Sequence, residues 1–304
     1  MTLLPLRNRL AAGDVIVGDG AWGSVLFDRG LPAGRAPETW TLERPDVIAG
    51  LAREYLEAGA EIITTNTFGG SPARLRHSGL ADRFDEVNRL GVQLARESTG
   101  GRAYVSASVG PSGVLLKPFG EAEPAEIEDG FARQIAVLAS AGADAICIET
   151  MTDLTEAMLA IRASRTAAPD LPVIATMSFD PTPRGPFTMM GVSVERAALG
   201  LAGAGADVIG ANCGSGAEAM VEVARAFRAH TRLPIAVRPN AGLPERRGNR
   251  LVYLETPEMF AAAAARCVAA GVTIVGGCCG TTPAHIRALV SRRASGWTIA
   301  GHWT

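Results

Sequence analysis

Eight short runs of apolar and β-branched residues punctuate the chain at wide spacing: Val15 to Asp19, Glu61 to Asn66, Ala103 to Gly110, Ala145 to Thr150, Val173 to Phe179, Asp207 to Cys213, Ile235 to Asn240 and Thr273 to Cys279. Between them lie Ala-, Leu-, Glu- and Arg-rich stretches whose apolar residues recur with helical period. One phrase recurs just ahead of four runs: Glu57-Ala-Gly-Ala-Glu, Ser140-Ala-Gly-Ala-Asp, Gly203-Ala-Gly-Ala-Asp and Ala269-Ala-Gly-Val-Thr. A glycine there ends a helix and hands the chain to a strand. The repeat has the length of one βα unit, not of a solenoid module. Eight such units in 304 residues predict an α/β fold, a (β/α)8 TIM barrel, with residues 1–304 as a single domain. A doubly wound sheet is the alternative. It would want G-x-G-x-x-G after the first run; Gly18-Asp19-Gly20-Ala21-Trp22-Gly23 spaces its glycines differently and puts an acid where a pyrophosphate would lie. Residues 180–191, rich in Pro and Gly, read as a long loop after the fifth strand. The stretch after Arg293 carries no readable pattern.

The carboxyl ends of barrel strands build active sites. Those ends are polar nearly all round the ring: Asp19, Asn66-Thr67-Phe68, Ser106-Ala-Ser108, Glu149-Thr150, Thr176-Met-Ser178, Asn212-Cys213, Arg238-Pro-Asn240 and Cys278-Cys279. Adjacent cysteines on a regular strand point to opposite faces. Gly276, Gly277 and Gly280 permit the bend that lets both reach one atom. With Cys213 they offer three thiolates at two strand ends, a donor set suited to zinc with its fourth position open. Buried apolar thiols and a strained vicinal disulfide are the competing readings. Cys147, inside a strand, and Cys267, in an Ala-rich helix, read as buried small hydrophobes. None of His77, His230, His285 or His302 ends a strand, and His285 reads as a surface residue in a first helical turn.

A sulfur-rich zinc favours alkyl transfer to an incoming thiol over activation of water. Asp19 and Glu149 suit a substrate ammonium, with a rim charge or helix cap as the bland alternative. Thr67, Ser106 and Ser108 could donate to a substrate carboxylate or simply hold turns. Asn66 belongs either with these substrate contacts or with Asn212 and Asn240, read as hydrogen bonders that orient the ligating strands. Trp22 and Phe68 wall the pocket or pack in the core.

Composition removes several other classes. The net charge is −2 and the pI about 6.1, so nothing electrostatic recommends nucleic acid or an anionic membrane. No signal-peptide pattern and no membrane-length apolar run are seen, and five cysteines disfavour a disulfide framework. A reducing, cytoplasmic setting is the expectation. Lys117 is the single lysine and lies in a loop, which sets Schiff-base chemistry aside.

These motifs resemble the homocysteine S-methyltransferase family: the homocysteine domain of cobalamin-dependent methionine synthase, betaine–homocysteine methyltransferase and the S-methylmethionine-dependent enzymes. The likeness runs through Asp19-Gly-Ala-Trp-Gly-Ser, Thr65-Asn-Thr-Phe-Gly-Gly, Ser108-Val-Gly-Pro-Ser-Gly, Glu149-Thr, Gly210-Ala-Asn-Cys-Gly, Pro239-Asn-Ala-Gly and Gly276-Gly-Cys-Cys-Gly-Thr-Thr-Pro, over roughly residues 12–292. It implies zinc on Cys213, Cys278 and Cys279 with homocysteine sulfur as fourth ligand, and the homocysteine ammonium on Asp19 and Glu149. Nearby main-chain and hydroxyl groups would take its carboxylate, and methionine would be the product. Where betaine-using animal enzymes carry a tyrosine after the strand-two Phe, this chain has Gly69, as in the methionine synthase domain. That favours a methyl group from a corrinoid carrier protein over betaine or S-methylmethionine. A methyltransferase for another thiol or selenol, and a non-catalytic zinc-bearing scaffold, are the rival expectations.

Overall fold

The computed structural model describes residues 3–248, 250–294 and 296–297. Eight parallel strands form its centre: β1 Ile16–Val17, β2 Ile62–Thr64, β3 Tyr104–Val109, β4 Ala145–Met151, β5 Val173–Met177, β6 Val208–Gly216, β7 Ile235–Asn240 and β8 Ile274–Val275. They neighbour one another in the order β1-β8-β7-β6-β5-β4-β3-β2. A parallel bridge between Gly18 and Ile62 joins β1 to β2, so the sheet closes into a (β/α)8 barrel. Helices such as Phe84–Thr99, Pro124–Ser140 and Leu154–Ala167 return the chain outside it.

The four Ala-Gly phrases work as one device. Gly59, Gly142, Gly205 and Gly271 all have φ between 95° and 103°. In each, the residue after the glycine sends its N–H back across the helix end: Ala60 to Tyr55, Ala143 to Leu138, Ala206 to Leu201 and Val272 to Cys267, at 3.0 to 3.3 Å. This satisfies carbonyls that the helix leaves open. The next residue then serves the sheet. Glu61, Asp144 and Asp207 accept from the N–H of Val17, Val105 and Val173 at 2.7 to 3.0 Å. In the fourth, the Thr273 hydroxyl instead donates to Ile235 O at 3.2 Å, so each phrase closes a helix and anchors the neighbouring strand.

Two apolar layers follow. Phe131, Phe227 and Phe260 are buried between helices and sheet. Inside the lower barrel, Ile16, Ile62, Tyr104, Cys147, Ile174 and Ile274 pack together, closed from below by Leu6 and Leu10 of the helix Leu6–Ala11. Cys147 and Cys267 are both buried free thiols in these layers.

β1 and β8 are shorter than their apolar runs. After Val275 the chain leaves the regular ladder: Gly277 N–H bonds Asp19 O and Cys278 N–H bonds Pro239 O, both at 2.8 Å. Residues 180–191 contain a small hairpin, Asp180–Thr182 with Gly185–Phe187. A second hairpin, Glu245–Arg247 with Arg250–Val252, follows β7 and was not expected from the sequence.

Candidate active site

The carboxyl ends of β6 and β8 bring Cys213, Cys278 and Cys279 together, with their sulfurs all within 4.8 Å of one another. Tetrahedral zinc with sulfurs at 2.3 Å needs them about 3.8 Å apart, so a small contraction suffices. No other His, Cys, Asp or Glu joins this cluster among the described residues. The donor set therefore fits a thiophilic metal that keeps one coordination position for something else.

Local backbone makes the cluster. Cys213 has φ 60° and Gly214 φ 63°, within a register shift of β6 between Asn212 and Gly216. A non-glycine residue in that region costs about 1–3 kcal/mol and persists only when its surroundings hold it. Asn212 does so from one side and Asn240 from the other, the latter donating to Gly214 O at 2.9 Å. Past Cys279, Gly280 has φ 79°, and the Tyr253 ring lies where its Cβ would be, at 2.1 Å. Hydrogen bonds from the Cys278 and Cys279 thiols pull Cys213 down to about 3, and in return their own values rise, that of Cys279 to about 11.

A cavity of about 650 Å³ opens in front of the sulfurs. Asn66, Ser108, Glu149 and Arg238 give it polar walls, with Trp22 and Phe68 as its tryptophan and phenylalanine. Between Glu149 on the cavity wall and the buried Asp19 lies a clasp that sequence reasoning missed. Arg238 Nη2 binds Asp19 Oδ1 at 2.7 Å and Nη1 binds Glu149 Oε2 at 3.3 Å. Burial works against the Arg238 charge, but the two carboxylates outweigh it and hold the group cationic. Burial raises the Glu149 carboxyl, although Arg238 and the hydrogen-bonded Ser108 hydroxyl oppose it. The signal available was a charged residue closing the apolar run Ile235-Ala-Val.

Other expected residues fall as follows. Asp19 is fully buried and is not among the residues that line the cavity, so it is not a rim charge. Thr67 does not face the cavity either: its hydroxyl donates to Ser108 O at 2.8 Å and its methyl packs under Gly91. Ser106 Oγ is buried with no protein partner and lies off the cavity wall. Asn66 lines the cavity but commits its amide to Pro37 O and Thr41 Oγ1, at 2.8 and 2.9 Å. Asn212 reaches toward Cys278 Sγ at 3.8 Å. Glu38, unremarked in the sequence, accepts from Gly69 N at 2.6 Å and lines the cavity. His285 does open the helix Pro283–Ala294, but it is buried, not a surface residue. Its Nδ1 accepts from Thr282 N at 3.1 Å, which leaves Nε2–H to donate to Glu255 O at 3.0 Å. No helix among the described residues is long and apolar enough to cross a membrane.

Comparison with known proteins agrees with this geometry. The methionine synthase of Mycobacterium tuberculosis is 36% identical over 300 residues, 92% of this chain, and this chain spans 25% of that protein's length. The betaine–homocysteine S-methyltransferase 1 of Xenopus laevis is 30% identical over 319 residues, covering 95% of this chain and 75% of that protein. The metallated form of the Escherichia coli homocysteine methyltransferase MmuM superposes with a TM-score of 0.79 at 25% identity, covering 95% of this chain and all (100%) of that one. The family pattern described as homocysteine S-methyltransferase matches residues 16–293. With barrel, sulfur cluster and sequence in agreement, the chain belongs to the homocysteine S-methyltransferase family.

Proposed function

We propose that this chain transfers a methyl group to the thiol of homocysteine, giving methionine, with zinc held by Cys213, Cys278 and Cys279. The observation that carries this reading is the three-sulfur cluster with no fourth protein ligand among the described residues. Cys213, Cys278 and Cys279 would hold the zinc, which when bound would lower the pKa of an incoming thiol so that the acceptor reacts as a thiolate at neutral pH. The thiol proton leaves to solvent, the new S–CH3 bond forms, and the bond between methyl and donor breaks with its electron pair on the donor. No side chain need act as a base at carbon; the chain positions the reactants. Asn212 and Asn240 keep the sulfurs aimed, while Ser108, Asn66 and Glu149 stand on the head-group side of the cavity.

For the donor, we favour methyl delivery by a corrinoid carrier. Recognition of a quaternary ammonium calls for several aromatic faces, whereas Trp22 and Phe68 are the tryptophan and phenylalanine lining the cavity. Exposed apolar side chains stand on the loops after β3, β5 and β7, among them Phe119 at 76%, Met189 at 81% and Leu243 at 65% exposure. Such a rim suits a protein that must dock over the mouth. The five free cysteines fit a reducing cytoplasm. The test assays zinc-loaded protein with homocysteine and, separately, methylcobalamin, betaine, S-methylmethionine and S-adenosylmethionine. Methionine formed from methylcobalamin supports the whole reading. Methionine from betaine or S-methylmethionine keeps the acceptor and overturns the donor, and no product with any donor counts against the activity.

A further inference from the structure

The position between Asp19 and Glu149, where the family resemblance would seat the acceptor's ammonium, already holds a cation. Asp19 is reached by four donors, two on each oxygen. Oδ1 accepts from Thr64 Oγ1 at 2.8 Å and Arg238 Nη2 at 2.7 Å; Oδ2 accepts from Thr64 N at 2.7 Å and Trp22 Nε1 at 2.9 Å. An ionised carboxylate offers about four lone-pair sites, so none is left for a ligand. Glu149 accepts from Ser108 Oγ and from Arg238 Nη1. A guanidinium does not give up its proton in a protein. Ionised acids and Arg238 therefore sum to −1, where the acids alone would present −2. The Arg238 side chain is only 11% exposed, and moving it aside would strand the Asp19 charge in the barrel interior.

We propose that Arg238 is a specificity-determining residue: it supplies from within the cation that would otherwise come from the substrate, so the acceptor is chosen for its thiol and an α-amino group adds little. This rests on the reading that a thiol is methylated at the sulfur cluster. The acceptor class then widens from amino-thiol acids to mercapto acids without an ammonium. The simplest probe is 4-mercaptobutyrate, which is homocysteine lacking its amino group. Asp19 acts through Arg238 as a positioning residue, holding the guanidinium without touching the acceptor.

The experiment titrates homocysteine and 4-mercaptobutyrate into the zinc-loaded protein by calorimetry at physiological ionic strength, for wild type and for Arg238→Met. A charge-assisted hydrogen bond to a buried carboxylate is worth about tenfold or more in affinity. If Arg238 fills the cation position, the two thiols bind wild type within about threefold of each other, well below that tenfold. Arg238→Met, its cation removed, then prefers homocysteine by about tenfold or more. Wild type that itself prefers homocysteine by tenfold or more overturns the proposal while leaving thiol methylation intact. If neither thiol binds wild type, the underlying reading fails and the proposal with it. Should Arg238→Met not fold, the wild-type pair of titrations still decides.

Discussion

Asn212 grips Thr150 by both ends of its amide: Oδ1 accepts from the Thr150 N–H at 2.7 Å and Nδ2 donates to the Thr150 hydroxyl at 2.7 Å. Thr150 and Cys213 are the two non-glycine residues with positive φ among the described residues, at 61° and 60°. One side chain thus fixes the strained end of β4, sits next in sequence to the strained ligand on β6, and reaches the sulfur that follows β8. The same Oδ1 also accepts from Thr176 Oγ1 at 2.7 Å. Asn212→Ala leaves the Thr150 amide without a partner and the Thr176 hydroxyl with only the long bond to Ile148 O at 3.5 Å. An unsatisfied donor of this kind costs about 1–3 kcal/mol. We expect a loss of about 3 kcal/mol in urea unfolding and zinc affinity weaker by about 10–100-fold in chelator competition. A variant matching wild type in both would remove Asn212 from the site's support.

The Cys278-Cys279 corner depends on Gly280. A Cβ there would need a left-handed backbone at φ 79° and would lie 2.1 Å from Cγ of Tyr253. Gly280→Ala should shift the cysteine pair while the barrel, whose apolar layers lie elsewhere, keeps its far-ultraviolet circular dichroism. We expect bound zinc to fall well below one per chain. Full zinc occupancy would show that the corner tolerates the strain.

Glu38 gives a pH signature. Burial raises its carboxyl above the ordinary 4.5, and the Gly69 N–H only partly offsets this. Between 4.5 and the raised value, the native state keeps a proton that the unfolded chain has released. Its contribution to stability is therefore present at low pH and is lost as pH rises through that window. Glu38→Gln keeps an acceptor for Gly69 and removes the titration. We expect unfolding free energies of the variant to gain on wild type as pH rises from 4.5 toward neutrality. A difference that stays flat with pH would mean the carboxyl titrates alike in both states.

The barrel floor offers a contrasting site. Leu10, 7% exposed, closes the lower barrel far from the sulfurs. Leu10→Ala should cost about 2–5 kcal/mol through the cavity it leaves, with zinc content unchanged. A large loss of metal would indicate coupling between floor and mouth.

The barrel was legible because its sequence phrase has a physical meaning: glycine and a small apolar residue close a helix four times over, and in three of the four the acid that follows anchors the neighbouring strand. The sulfur cluster was legible because three cysteines among glycines at strand ends have few other uses. Arg238 was not, since its partners lie 219 and 89 positions away and only ring closure brings them together. Thr67 misled because regular β2 stops at Thr64, after which alternation no longer tells which way a side chain points. For His285 the helical turn was readable, but its cover, the Glu255 carbonyl, comes from the segment after β7.

The central claim is that Cys213, Cys278 and Cys279 hold one zinc ion with a position left for the acceptor's sulfur. X-ray absorption on the zinc-loaded protein, with and without homocysteine, tests it most directly. We expect three sulfur ligands at about 2.3 Å with one light atom, and replacement of that light atom by a fourth sulfur when homocysteine is added. Fewer than three protein sulfurs, or a shell that ignores the thiol, would contradict it.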